Sequence, residues 1–161
     1  MLYFAYGSNM SLQRIQRRVP STQFVGVAAL SNFQLRFHKK GQDGSAKADA
    51  LFTGNPDDCI YGALFQVSEN ELLLLDQIED CGIGYERKEV MVNEGDQIHS
   101  AWVYCALHID RSLKPYSWYH RHVIVGAEQL SLPPEYIQHI KGVICCEDSD
   151  SERAIRESSI Y

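Results

Sequence analysis

The chain has 161 residues, 45% hydrophobic and 22% charged, with a formal net charge of −6. That length suits one domain able to bury its own core, and the composition excludes disorder over most of the chain. The acidic balance argues against a nucleic-acid partner, and no apolar run reaches the roughly 18 residues of a membrane span, so no membrane partner is expected either.

The charge is unevenly spread. Residues 1–42 hold six Lys/Arg and no acid, whereas residues 43–161 hold nine Lys/Arg and all 21 acids. Two readings fit: halves that neutralise each other on packing, which is the commoner case, or an N-terminal part that helps hold a small anion. The five cysteines (Cys59, Cys81, Cys105, Cys145, Cys146) are odd in number and form no CxxC, so neither a disulfide framework nor a zinc ribbon is expected. Met1 to Asn9 carry no basic leader and no cleavage pattern, which makes the cytoplasm the expected compartment.

In chain order, Leu2-Tyr3-Phe4-Ala5-Tyr6 reads as a buried strand stopping at Gly7-Ser8-Asn9. Ser11 caps a short helix through Arg18, closed by Pro20. Thr22–Leu30 and Phe33–Phe37 read as strands, the second with apolar residues alternating. His38–Asp49, with two Gly and three Lys, is expected to be a solvated, mobile loop. Ala50–Thr53 and Ile60–Val67 follow as strands. Ser68-Glu69-Asn70-Glu71 is a capping box opening a buried, leucine-rich helix that ends near Ile78, before Gly82 and Gly84. Tyr85–Val92 and Ile98–Leu107 flank Asn93-Glu94-Gly95-Asp96 as a hairpin. Ser117 is expected to cap a helix to Leu130, and Pro133-Pro134 to start another through about Val143. The prediction is one domain over 1–143 and a polar, flexible tail over 144–161, in which Ala154-Ile155 could dock. Without regular βαβ alternation the fold class is α+β: a mixed, mostly antiparallel sheet curled towards a barrel, with flanking helices.

Three places could carry chemistry. A strand that ends in Gly7-Ser8 and leads into a helix gathers backbone N–H groups able to cradle a carboxylate or an oxyanion, although an ordinary turn explains it equally well. A nucleophilic Ser8 is disfavoured because the second glycine of G-x-S-x-G is missing. Asp76, Glu79 and Asp80 crowd one helix end beside buried leucines, where a carboxylate's charged form is disfavoured and proton transfer near neutrality is favoured. On composition alone, a solvated helix end is the better reading of these acids. His120 and His122 form H-x-H, but a helix points them about 200° apart and no third ligand is evident, so no metal site is expected. Tyr116, Trp118 and Tyr119 read first as core, with tyrosine hydroxyls able to orient a substrate. GxGxxG, Walker A and HExxH patterns are absent.

Leu2-Tyr3-Phe4-Ala5-Tyr6-Gly7-Ser8-Asn9-Met10 resembles the opening signature of the γ-glutamylcyclotransferases, and Leu75-Asp76-x-x-Glu79 resembles their second signature, whose glutamate is the catalytic acid/base. Tyr104 in Trp102-Val103-Tyr104-Cys105 resembles the family's late strand. Tyr119, Val125-Gly126-Ala127 and Leu132-Pro133-Pro134-Glu135-Tyr136 resemble its C-terminal helices. The resemblance spans about residues 1–143. It implies a small barrel-like sheet and release of 5-oxoproline from a γ-glutamyl amine or peptide. It also implies Glu79 as the catalytic group, and no cofactor or metal. Tyr3, Phe4, Ala5, Tyr6, Gly7, Ser8, Asn9 and Tyr119 are the substrate-binding residues it suggests. The partner is a small γ-glutamyl compound, and a homodimer stays open. Asp80 departs from the glycine that often follows the glutamate in the family. The YGSN form looks closer to the branch acting on γ-glutamyl amino acids than to the glutathione-specific one. A non-catalytic binder on the same fold and an amidohydrolase are the alternatives, and product analysis separates them.

Overall fold

The computed structural model describes residues 1–161. Its strands are β1 (Leu2–Ala5), β2 (Gln23–Ser31), β3 (Phe33–Lys40), β4 (Ala46–Phe52), β5 (Cys59–Gln66), β6 (Tyr85–Glu94) and β7 (Gln97–Ala106). Its helices are α1 (Leu12–Arg18), α2 (Glu69–Ile78), α3 (Ser117–Gln129), α4 (Pro134–Lys141) and α5 (Ser151–Ser158), with one 3-10 turn at Ser8–Met10. No helix is long and apolar enough to cross a membrane.

Five strands close into a barrel in the order β1-β5-β2-β6-β7, and β3 pairs with β4 alone. The pairings are antiparallel except where β1 meets β7, Tyr3 opposite Trp102. This is the α+β, mostly antiparallel, barrel-like sheet that the alternation and hairpin signals predict. Closure removes the edges that a five-stranded open sheet would expose. Phe4, Ile60, Leu64, Phe65, Val92 and Val103 are fully buried on the barrel strands. Each such side chain stabilises the fold by about 1.5–3 kcal/mol relative to exposure.

Local chemistry sets the ends of the helices around the barrel mouth. Ser68 and Glu71 form the expected capping box, and α2 stops with Glu79 as its C-cap. Ser11 accepts the Arg14 N–H and caps α1. Ser117 does not cap α3: Tyr116 holds that position without a side-chain bond, and the Ser117 hydroxyl instead donates to Glu147 at 3.0 Å. Gly126 of α3 presses on the 3-10 turn so closely that a Cβ there would lie 2.6 Å from Met10 Cβ. Only glycine allows that approach, which seats the turn against a rigid helix.

Three segments differ from their sequence reading. The leucine run of α2, expected to be buried all round, buries Leu72 and Leu75 and leaves Leu73 52% and Leu74 39% exposed, since a helix packed on one side of the barrel turns only one face inward. His38–Asp49 is no solvated loop; it forms the end of the β3–β4 hairpin. A bulge on β3 between Phe37 and Lys39 lets the consecutive His38 and Lys39 both turn inward, 6% and 7% exposed, and Asp49 of β4 is buried beside them at 3%. Its polar groups satisfy one another: His38 Nε2 lies 2.7 Å from Asp49 Oδ2, and Asp49 Oδ1 accepts the Ala106 N–H at 2.7 Å. Polar content alone cannot reveal such internal pairing, which is why the composition reads as loop. The 144–161 segment, expected as a flexible tail, carries α5. Asp150 caps it, Glu157 meets Arg14 at 2.7 Å, and the Tyr161 hydroxyl donates to Ser11 Oγ at 2.8 Å. Ala154 packs on the core, whereas Ile155 is 70% exposed.

Candidate active site

Where β1 ends, the chain turns through Gly7 into the Ser8–Met10 turn, and the C-terminal end of α2 meets it from the other side. Between them lies a recess of about 30 Å³, lined by Tyr3, Tyr6, Gly7, Ser8, Asn9, Ala48, Glu79, Tyr85, Tyr104 and Tyr119. A wider cleft of about 340 Å³ adjoins it, sharing Ser8, Glu79, Tyr85 and Tyr119 and adding Arg14, Arg18, Lys39, Lys47, Asp43 and Asp80.

Glu79 is the one carboxylate that lines the recess. Asn9 Nδ2 donates to its Oε1 at 3.0 Å and also reaches the Tyr3 hydroxyl at 3.0 Å. Arg18 Nη1 donates to the same Oε1 at 3.3 Å and to Asn9 Oδ1 at 3.1 Å. Asn9 and Arg18 therefore tie the 3-10 turn and α1 to the end of α2, and they leave Glu79 Oε2 without a hydrogen bond from the protein.

These neighbours are not the acidic crowd that the sequence suggests. Asp76 turns to β6 and β7, where it accepts from Arg87 Nη1 at 2.6 Å and from the Tyr104 hydroxyl at 2.8 Å. Asp80 Oδ2 accepts from Gln42 Nε2 at 3.1 Å, on the hairpin tip. Asp80 has φ +54°, a left-handed conformation that suits glycine and that Asp tolerates better than most residues. The Asp80 side chain is held outside the recess.

Five tyrosines surround Glu79. The Tyr6 hydroxyl donates to the Tyr104 carbonyl, and Tyr85 donates to the Ala48 carbonyl at 2.8 Å. The Tyr119 hydroxyl accepts the Ala48 N–H at 3.0 Å. Burial pushes the phenols of Tyr3, Tyr6, Tyr85, Tyr104 and Tyr119 above their ordinary range. All five are therefore neutral at physiological pH and act as hydrogen-bonding groups, not as bases.

Of the residues expected in the site, Tyr3, Tyr6, Gly7, Ser8, Asn9, Tyr119 and Glu79 meet around this recess. Phe4 and Ala5 do not line it. Phe4 is fully buried in the core, its ring 6.4 Å from that of Tyr6, and Ala5 is committed to pairing with Ala63. Gly7 is tightly placed: a Cβ there would lie 3.0 Å from Ala48 Cβ. His120 and His122 are buried and already engaged, His120 Nε2 lying 2.7 Å from the Ile140 carbonyl and His122 Nδ1 2.9 Å from the Tyr161 hydroxyl.

Sequence reasoning missed Tyr85, Ala48, Arg18 and Lys39 as lining residues. The charge asymmetry was the available signal: Arg14, Arg18 and Lys39, half of the six cations of residues 1–42, line the cleft.

A family model described as Gamma-glutamyl cyclotransferase, AIG2-like, matches residues 3–121. The chain belongs to this enzyme family. Across 148 residues it is 32% identical to the human protein named Gamma-glutamylcyclotransferase, covering 88% of this chain and 78% of that protein. The mouse protein of the same name is 31% identical over the same coverage. A solved structure named Gamma-glutamyl cyclotransferase superposes with a TM-score of 0.87 at 27% identity, over 98% of this chain and 97% of that one. The cyclotransferase resemblance read from the two signatures is thereby borne out, as is the barrel that it implied.

Proposed function

We propose that the chain converts a γ-glutamyl amino acid or amine to 5-oxoproline and the free amine, with Glu79 carrying the proton. The observation that carries this reading is the position of Glu79: the single carboxylate of the recess, fixed through Oε1 by Asn9 and Arg18, with Oε2 left for a ligand.

The chemistry asks little else of the protein. The α-amine and the γ-carbonyl belong to one molecule, so the main task is to hold the folded conformer, an entropic gain. Glu79 takes a proton from the α-ammonium as nitrogen attacks the γ-carbonyl carbon. The C–N bond of the new ring forms, and the carbonyl oxygen becomes an oxyanion. As the oxyanion collapses, the bond to the leaving nitrogen breaks, and Glu79 returns the proton to that nitrogen. The ring nitrogen gives up a second proton, which ends on the departing amine as ammonium, directly or through solvent; two protons leave the α-ammonium in all, the lactam keeps one N–H, and the carboxylate is regenerated. The backbone N–H groups of the Gly7–Asn9 turn, unpartnered as at any helix start, would face an anionic oxygen of the substrate. Tyr3 and Tyr119 suit this role: their hydroxyls accept from Asn9 and from the Ala48 N–H and keep a proton to donate, and as neutral phenols they do not compete for the reacting proton. The five free cysteines fit a reducing, cytoplasmic setting.

The test is product analysis on a panel of γ-glutamyl amino acids and amines. The reading predicts one 5-oxoproline per amine released. Glutamate as the product would establish hydrolysis, and binding without turnover would establish a ligand-binding protein.

A further inference from the structure

Among the cations of the outer cleft, most have a carboxylate already. Arg14 pairs with Glu157 at 2.7 Å, Arg18 with Glu79 at 3.3 Å, and Lys47 with Asp43 at 2.6 Å. Lys39 differs. It is 7% exposed, lines the cleft, and its ammonium makes no hydrogen bond and no ion pair within 4.0 Å. The ammonium lies 4.6 Å over the Tyr85 ring, whose hydroxyl is anchored on Ala48. Gly84 leaves it room, since a Cβ there would come within 3.0 Å of Lys39 Nζ. A cation this buried costs desolvation, which pushes the ammonium below its ordinary range, while the carboxylates of Glu79, Asp80 and Asp43 act against that shift from beyond contact distance. A buried, positioned ammonium with no direct hydrogen bond or ion pair, facing a ligand cleft, can receive an anion.

We infer that Lys39 selects substrates whose leaving group carries a free carboxylate, by receiving that carboxylate in the outer cleft. The inference rests on the cyclotransferase reading and adds the identity of the departing half: an amino acid or peptide acid in preference to a neutral or cationic amine. A substrate carries two candidate carboxylates, one on the glutamyl half and one on the leaving group. Geometry favours the second. Glu79 lines both the recess and the cleft, so the reacting carbonyl lies at their boundary. The glutamyl half must fold back on itself there to close a five-membered ring, beside the smaller recess, which leaves the wider cleft to the departing amine. Lys39 lines the cleft and not the recess, on the side left for the departing amine.

The test compares γ-glutamyl-alanine, its C-terminal amide, and the analogue amidated on the glutamyl α-carboxylate, with 5-oxoproline as the readout. For the wild-type protein, kcat/KM should favour the acid over the C-terminal amide by about 10–100-fold, the scale of a charge-assisted hydrogen bond, and mainly through KM. Lys39→Gln should bring that ratio close to one, and Lys39→Arg should keep most of it. A wild-type ratio near one overturns the inference without any variant. An equal loss on acid and amide in Lys39→Gln would mean that Lys39 acts only on Glu79 or on folding. A change confined to the α-amidated analogue would move Lys39 to the other carboxylate. Each of these outcomes leaves the cyclotransferase reading standing. Absence of 5-oxoproline from all three compounds would end both.

Discussion

Asn9 and Glu79, 70 residues apart in the chain, share a hydrogen bond of 3.0 Å. It joins the residue after the Gly7-Ser8 turn to the C-cap of α2, and so converts two separate sequence signatures into one constellation. The same amide nitrogen reaches Tyr3, and the Asn9 carbonyl accepts from Arg18, so its side chain is fully used. Asn9→Ala should therefore loosen Glu79 and Arg18 together. We expect kcat/KM to fall about 10–100-fold, since a misplacement near one ångström is costly in a site that works by orientation. Stability should drop by about 1–2 kcal/mol for the lost buried bonds. Steady-state kinetics beside a urea melt measures both, and wild-type kinetics in a folded variant would count against this role for Asn9.

The conformation of Asp80 gives a prediction about stability that does not depend on the reaction. Its φ of +54° penalises any residue with a Cβ. Asp80→Gly and Asp80→Ala both lose the Gln42 contact, so the difference between them isolates the backbone. Asp80→Gly should be the more stable by about 1 kcal/mol. Equal melting temperatures would show that the backbone carries no strain there.

Much of this architecture was legible in the sequence, because its signals are local. The capping box Ser68–Glu71, the Asn93–Asp96 hairpin and the strand-to-turn sequence Tyr6-Gly7-Ser8 each act through neighbours in the chain. The illegible parts depend on partners far away. His38 and Asp49 read as loop residues because their pairing needs the β3–β4 hairpin to close, with a bulge at His38 on one strand and Asp49 on the other. Asp76 looks like a modulator of Glu79 on one helix face, yet Arg87 and Tyr104 claim it from other strands. The charge asymmetry contained both of its readings at once. Arg14 and Arg18 neutralise acids from the C-terminal part, and Lys39 stays unpaired in the cleft.

Docking of α5 should depend on pH. His122 and Arg14 beside it hold the Glu157 carboxyl down at about 2, against an ordinary value of 4.5. Burial holds the His122 imidazole below its ordinary 6.5. Both folded values are depressed, so their contribution is present above the ordinary values and is lost as pH falls. His122 begins to lose its share below about 6.5, and Glu157 loses its share between about 4.5 and about 2. The melting temperature of Glu157→Gln should lie below that of wild type at about pH 7, and the two should converge on acidification. A gap that persists unchanged to about pH 2 would assign the stabilisation to packing.

Ser8 lines the recess beside the Tyr119 hydroxyl, and the buried histidines that could activate it are bonded elsewhere. Ser8→Ala should therefore retain measurable turnover, with kcat reduced about tenfold or less for one lost neutral hydrogen bond. Mass spectrometry during turnover should find no glutamyl ester. A trapped ester on Ser8 would replace the proton-carrier mechanism with a covalent one.

The central claim is that Glu79 moves the proton within a site that otherwise only binds and orients. Glu79→Gln keeps the length of the side chain and can still meet Asn9 and Arg18 through its amide oxygen, but it cannot accept a proton. The decisive measurement is 5-oxoproline release from a γ-glutamyl amino acid under single-turnover conditions, with substrate binding to the same variant measured by calorimetry. The account predicts binding within a few-fold of wild type and a rate lowered by about 10²–10⁴-fold or more. A folded Glu79→Gln protein that releases 5-oxoproline at the wild-type rate would contradict it.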